Sequence, residues 1–261
     1  MKFGVCASYK DIAALESPPI DYLEENVQRF LQPEQPDGVF AETWHAARQL
    51  PIPIEAANSF IPASLPLIET PIQAVDRPRI ERYVKTAFQR AQQVGIKVIV
   101  FGSGDARRCP DGYDRAAATR QIADYLAQWS QWATAYGIQL ALEPLRYQET
   151  NTLNTVAESG QLVEQLVQTG ATLLVDTYHM GNNGEAPTDI LPFGNIISHV
   201  HVAEVQERAA PGRFGEDFHP YFAALHQIGY DRRISIECHW QNMATELGPS
   251  IATLKKFWAD S

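Results

Sequence analysis

Long apolar runs are missing from this chain of 261 residues, and none approaches the roughly 20 residues that a helix needs to cross a bilayer. Cysteine is scarce. Cys6, Cys109 and Cys238 are odd in number and widely spaced, which argues against a disulfide framework and for a reducing compartment. Basic charge is also short: 21 lysines and arginines stand against 31 acidic residues, a formal charge of -10. Nucleic acid is therefore not the expected partner, because affinity for its backbone comes mainly from lysine and arginine. No basic-then-apolar signal segment precedes residues 2–7, so a soluble cytoplasmic protein with no membrane partner is expected. Repeats, low-complexity runs and linkers are absent too, and a single domain over residues 1–261 follows. The hydrophobic content of 45% is enough for a large core.

What is present is an alternation of short apolar runs and amphipathic stretches. Strand candidates lie at residues 3–7, 22–26, 54–57, 98–102, 138–142, 173–176, 197–201 and 234–237. Between them Ile80, Tyr83, Val84, Ala87, Ala91 and Val94 form a helical stripe that stops at Gly95. Ile122, Tyr125, Leu126, Trp129, Ala133 and Tyr136 repeat the pattern before Gly137, and similar stripes precede Gly170 and Gly229. Ile251, Leu254 and Trp258 mark a closing helix. Strand–helix alternation implies parallel strands with right-handed crossovers, and eight such units predict an α/β fold closed as a (β/α)8 TIM barrel. Residues 8–20 leave room for only a stub of helix around residues 11–15. Residues 58–78, with four prolines, read as a long loop.

The last four strands share a feature. Ile138 to Leu142 is cut off by Pro144, and alternation puts Glu143 on the face of Ala141. Asp176, His201 and Glu237 end the next three strands in the same way. Taken singly, an acidic residue at a strand end ordinarily caps a helix or pairs with a lysine. Four in succession, at spacings of 33, 25 and 36 residues, each match one βα unit and meet where barrel sites lie. Three carboxylates and an imidazole with no nearby lysine call for one divalent cation. Mn2+ or Mg2+ is favoured, and Co2+ and Zn2+ are compatible.

These stretches carry a resemblance. Leu142-Glu-Pro-Leu145 with Glu149, Val175-Asp-Thr-Tyr-His-Met180, His199-Val-His-Val-Ala-Glu204 with Arg208 and Pro211-Gly212, and Ile236-Glu237 are similar to the sugar phosphate isomerase/epimerase superfamily with its xylose-isomerase-like barrel. Within it, the ketose 3-epimerases and hydroxypyruvate-isomerase-like proteins are nearest. The resemblance implies that Glu143, Asp176, His201 and Glu237 are metal ligands and that Glu143 and Glu237 double as an acid/base pair. It also implies that His179, Arg208 and Glu149 hold substrate oxygens. The implied activity is isomerisation or epimerisation of a small sugar or sugar phosphate through an enediolate, and a homo-oligomer is compatible with it. Hydroxypyruvate isomerase and inosose-type dehydratase chemistry use the same quartet and stay open. So do two other classes, an abasic-site endonuclease-like hydrolase and a non-catalytic sugar-binding barrel. Arg146 and Tyr147 depart from the Asn-Arg more usual there.

Several residues have competing readings. His199 shares the inward face of His201 and is expected one layer down, as a hydrogen-bonded interior histidine. Asp217, in Asp217-Phe-His219, is expected to cap a helix rather than bind metal. Arg107 and Arg108, beside Gly102-Ser-Gly104, are expected to be an exposed, solvated pair. His239-Trp240 either lines the pocket or packs in the last loop.

Overall fold

In the computed structural model, which describes residues 1–261, eight parallel strands close on themselves in the order β1-β2-β3-β4-β5-β6-β7-β8. They are β1 (Lys2–Cys6), β2 (Tyr22–Asn26), β3 (Ile54–Asn58), β4 (Val98–Phe101), β5 (Gln139–Leu142), β6 (Ala171–Asp176), β7 (Ile197–Val202) and β8 (Arg233–Ile236). The expected strands all form, each within two residues of its expected ends. α1 (Tyr9–Ala13) is the expected stub, and residues 59–76 form no helix or strand, only a tight turn that pairs Thr70 with Gln73.

The helices start and stop for local reasons. α3 (Arg77–Val94) opens with Asp76 Oδ1 accepting from Arg79 N–H and Pro78 in its first turn, and ends on Gly95 at φ 97°. Its stripe of Ile80, Tyr83, Val84, Ala87, Phe88 and Ala91 is buried. α4 (Arg115–Ala135) is capped by Asp114. α5 (Val156–Leu166) opens with a Thr155/Glu158 capping box. Short α6 (Thr177–Asn183) starts from Asp176 itself, and α7 (His219–Gln227) and α8 (Met243–Asp260) complete the ring. α2 (Asp37–Ala47) has no counterpart among the expected stripes, since it buries only Phe40 and Ala47.

Apolar packing forms two bodies. The larger lies between strands and helices; the smaller is the barrel interior, where Tyr22, Ala56, Val98, Val100, Ala141 and Leu174 meet. The Tyr22 ring fills that interior because Gly4 opposite has no side chain, and a Cβ there would overlap the ring. One step further toward the C-terminal rim, the inward positions of β2, β3 and β6, and the one just past β5, change from apolar to polar, to Glu24, Asn58, Asp176 and Glu143.

Candidate functional site

Glu143 follows β5 and stays in the ladder, its N–H donating to Phe101 O at 3.2 Å. Asp176 closes β6, His201 sits opposite it on β7, and Glu237 follows β8 with its N–H on Val202 O at 3.1 Å. Alternation along each strand turns all four inward. One ligand atom from each lies within 4.8 Å of the others. Within the group Glu143 Oε1, Asp176 Oδ2 and His201 Nδ1 are buried and have no hydrogen-bond partner. Buried acceptors without partners are costly, and one divalent cation satisfies all of them together. The donor set of three carboxylates and one imidazole therefore fits such an ion.

The ligand atoms are turned inward by their other contacts. Asp176 Oδ1 accepts from the N–H groups of Tyr178 (2.7 Å) and His179 (3.4 Å), so it caps α6 and leaves Oδ2 free. His201 Nε2 donates to Glu24 Oε1 at 2.9 Å, which directs the lone pair of Nδ1 toward the group. Glu24 Oε2 accepts from His199 Nε2 at 2.7 Å and from Ser235 Oγ at 2.6 Å, and Tyr22 O–H donates to Ser235 at 2.7 Å. His199 is thus the interior histidine expected one layer down. Glu24, fully buried and central to this network, escaped the sequence reading; its sharing of a face with Tyr22 was the available signal.

The two glutamates differ in their surroundings. Burial raises the Glu143 carboxyl above its ordinary pKa, and His201 only partly opposes it. Burial pushes Glu237 upward too, but Arg208 and His201 outweigh it and hold that carboxyl at about 2. Arg208 Nη2 donates to Glu237 Oε2 at 2.5 Å, and its charge is locked in by the surrounding carboxylates. Burial likewise opposes charge on Glu24 and His201. Their mutual attraction prevails, with Glu24 held well below its usual range and His201 well above.

A cavity of about 400 Å³ opens beside the group, and Glu143, Glu149, His179, Arg208 and Glu237 all line it. His179 Nε2 lies 3.6 Å from Asp176 Oδ2 and 3.9 Å from Glu143 Oε1, and its Nδ1 accepts from Arg146 N–H at 3.3 Å. Glu149 Oε1 is paired with Arg146 Nε at 2.7 Å, while Tyr147 is exposed. Arg208 is delivered by two consecutive left-handed residues, Glu207 (φ 61°) and Arg208 (φ 51°). The loop behind it is gathered by buried Glu204, which accepts from the N–H groups of Gly212, Phe214, Gly215 and Glu216.

The remaining residues separate. Arg107 is not part of a solvated pair: it is fully buried and donates through Nη2 to Glu143 O at 2.8 Å, bracing the end of β5. Arg108 is exposed and donates to Glu149 O at 2.8 Å. Asp217 is exposed and accepts from His219 N–H at 3.0 Å just ahead of α7, whose N-cap position is Phe218 and has no side-chain cap. His239 lines a smaller chamber of about 210 Å³, and Trp240 packs against the core. No helix is long and apolar enough to cross a membrane.

Comparison with known proteins agrees with this geometry. The family pattern described as a Xylose isomerase-like TIM barrel matches residues 19–257. The chain is 32% identical to the L-ribulose 3-epimerase of Methylomonas sp. (strain DH-1) over 148 residues, 56% of this chain and 49% of that protein. It is 30% identical to the ketose 3-epimerase of Arthrobacter globiformis over 147 residues, 56% of this chain and 48% of that one. The chain thus spans about half the length of these curated relatives. Among solved structures, a D-psicose 3-epimerase in the presence of D-fructose superposes with a TM-score of 0.79 at 20% identity, covering 100% of this chain and 95% of that one. The IOLI protein with a bound zinc atom does so with 0.74 at 18%, covering 100% and 98%. These likenesses establish the barrel fold.

Proposed function

The chain belongs to the Xylose isomerase-like TIM barrel family, and from that premise we propose that it is a divalent-metal-dependent ketose epimerase or isomerase. The observation that carries this reading is the convergence of Glu143 Oε1, Asp176 Oδ2 and His201 Nδ1, buried and unpartnered, beside Glu237. In this reading the four residues hold one ion, Mn2+ or Mg2+ by the oxygen-rich donor set. When bound, that ion supplies the positive charge that an enediolate needs.

The protein's own groups divide the remaining work. His179, Glu149 and Arg208 orient a small sugar or sugar phosphate in the cavity that they line. Glu237, oriented by Arg208 and Asn58, takes the proton from the carbon next to the carbonyl. Glu143, which lines the same cavity, delivers a proton to the opposite face, and the reverse reaction exchanges the two roles. Relatives described as L-ribulose and ketose 3-epimerases support epimerisation next to the carbonyl as the reaction.

The test is incubation of the Mn2+-loaded protein with a panel of ketoses and their phosphates in D2O, followed by proton NMR. Deuterium should enter the carbon beside the carbonyl of at least one substrate, with conversion to its epimer. One bound Mn2+ per chain with no exchange on any substrate would reject the proposal in favour of a sugar-binding barrel.

A further inference from the structure

Asn58, the last residue of β3, takes no part in the quartet, yet it touches one of its members. Its side chain shares the inward face of Ala56, and Nδ2 donates to Glu237 Oε1 at 2.9 Å. Because an ionised carboxylate only accepts, the NH2 end of the amide must face Glu237, and Ser59 O–H donates to the other end, Oδ1, at 3.4 Å. The other oxygen, Glu237 Oε2, accepts from Arg208 and lies 3.1 Å from His201 Nδ1, within the group of ligand atoms. The carboxylate is therefore held at both ends, by a cation on one oxygen and a neutral amide on the other. Asn58, Ser59, Arg208 and Glu237 also line both the 400 Å³ cavity and the 210 Å³ chamber, forming the partition between them.

We propose that Asn58 is a positioning residue for proton transfer. Its amide fixes the Glu237 carboxylate so that Oε2 serves the cation and Oε1 is held toward the substrate cavity as the proton-accepting oxygen. A carboxylate released from Asn58 rotates freely enough to offer both oxygens to the same cation. Chelation of that kind strengthens metal binding and removes the base. A neutral donor suits this position because an added charge would alter the balance of the group, whereas an amide changes only direction. The inference rests on the proton-transfer reading above.

The test uses the full chain with Asn58→Leu and Asn58→Met, which keep bulk, add no charge and cannot donate. Mn2+ affinity is measured by calorimetry, and turnover is followed with the ketose that exchanges fastest. In both variants kcat should fall by about 30-fold or more, with KM within about twofold and Mn2+ bound at least as tightly as in the wild type. A residue that merely supports the fold would weaken metal binding and turnover together. A kcat within about threefold of wild type, or Mn2+ binding weakened more than about tenfold in step with kcat, overturns the proposal. Should the wild type exchange no deuterium with any ketose, the proton-transfer reading fails. The Mn2+ arm then still decides whether Asn58 restrains Glu237: tighter binding in the variants supports it and weaker binding rejects it.

Discussion

The two halves of the barrel rim do different things. β5 to β8 end in Glu143, Asp176, His201 and Glu237, the four groups whose ligand atoms converge. β1 to β4 supply no member of that set. Their inward positions hold Glu24 against His201, Asn58 against Glu237 and Gly102 beneath Glu143. In the proposed reading one half presents the ligands and the other aims them. A ligand set on flexible side chains loses affinity and rate when its supports are left loose, so the second half is as necessary to the geometry as the first.

The comparison breaks most visibly in the ligand half. Glu143→Gln and Glu237→Gln should each lower deuterium exchange by at least about a thousandfold, since in the proposed mechanism each holds the ion and moves a proton. Chelation of the metal should abolish exchange, and added Mn2+ should restore it. Full exchange in both variants would show that the converging groups are not the acid/base pair.

The supporting half should give intermediate effects. In Glu24→Gln the amide can accept from only one of the two histidines and must donate toward the other. If His201 becomes the acceptor, its proton moves to Nδ1, where the cation needs a lone pair. Mn2+ affinity should fall about 10- to 100-fold by calorimetry, and unchanged affinity would mean that β2 contributes only bulk. Gly102→Ala should be milder. Its Cβ would overlap Glu143 Oε2, so the carboxylate must swing aside, and turnover should drop about tenfold with the fold intact.

This division also explains how much of the molecule its sequence carries openly. The eight strands were legible because short apolar runs alternate with striped helices that stop at Gly95, Gly137, Gly170 and Gly229, all of which have positive φ. The quartet was legible because four successive strands end inward on metal-type groups. Glu24 was not: Glu24 and Glu25 stand side by side in β2, one facing the interior and one facing out, and both are buried. Adjacent acids in a weakly apolar strand look like solvent-facing residues until the partners arrive from β7 and β8, about 175 to 211 positions away. Arg107 misled for a related reason. Its partner is the backbone carbonyl of Glu143, and no pattern of side chains announces a carbonyl. Asn58 carries no charge and gave no signal at all.

The smallest effect concerns one acid in each half, Glu25 buried and Glu185 partly buried. Glu25 accepts from the N–H groups of Tyr9 (2.5 Å) and Asn26 (3.0 Å) and ties α1 to β2. Glu185 accepts from Val156 N–H at 2.7 Å and ties the end of α6 to the start of α5. Burial pushes both carboxyls up to about 7, against 4.5 in the unfolded chain. Between those values the folded chain holds protons that the unfolded chain has lost. Their contribution is therefore fully present below pH 4.5 and disappears as the pH rises through about 7. Glutamine stays neutral throughout, so Glu25→Gln and Glu185→Gln should each flatten the fall in Tm of the metal-free protein across that window. The change should be a few degrees, about 3 °C for each site, measured by thermal melts with chelator present. Equal flattening in both would show that the halves differ only at the rim, where the cation and its supports meet. A slope unchanged by either substitution would remove burial of these acids as its cause.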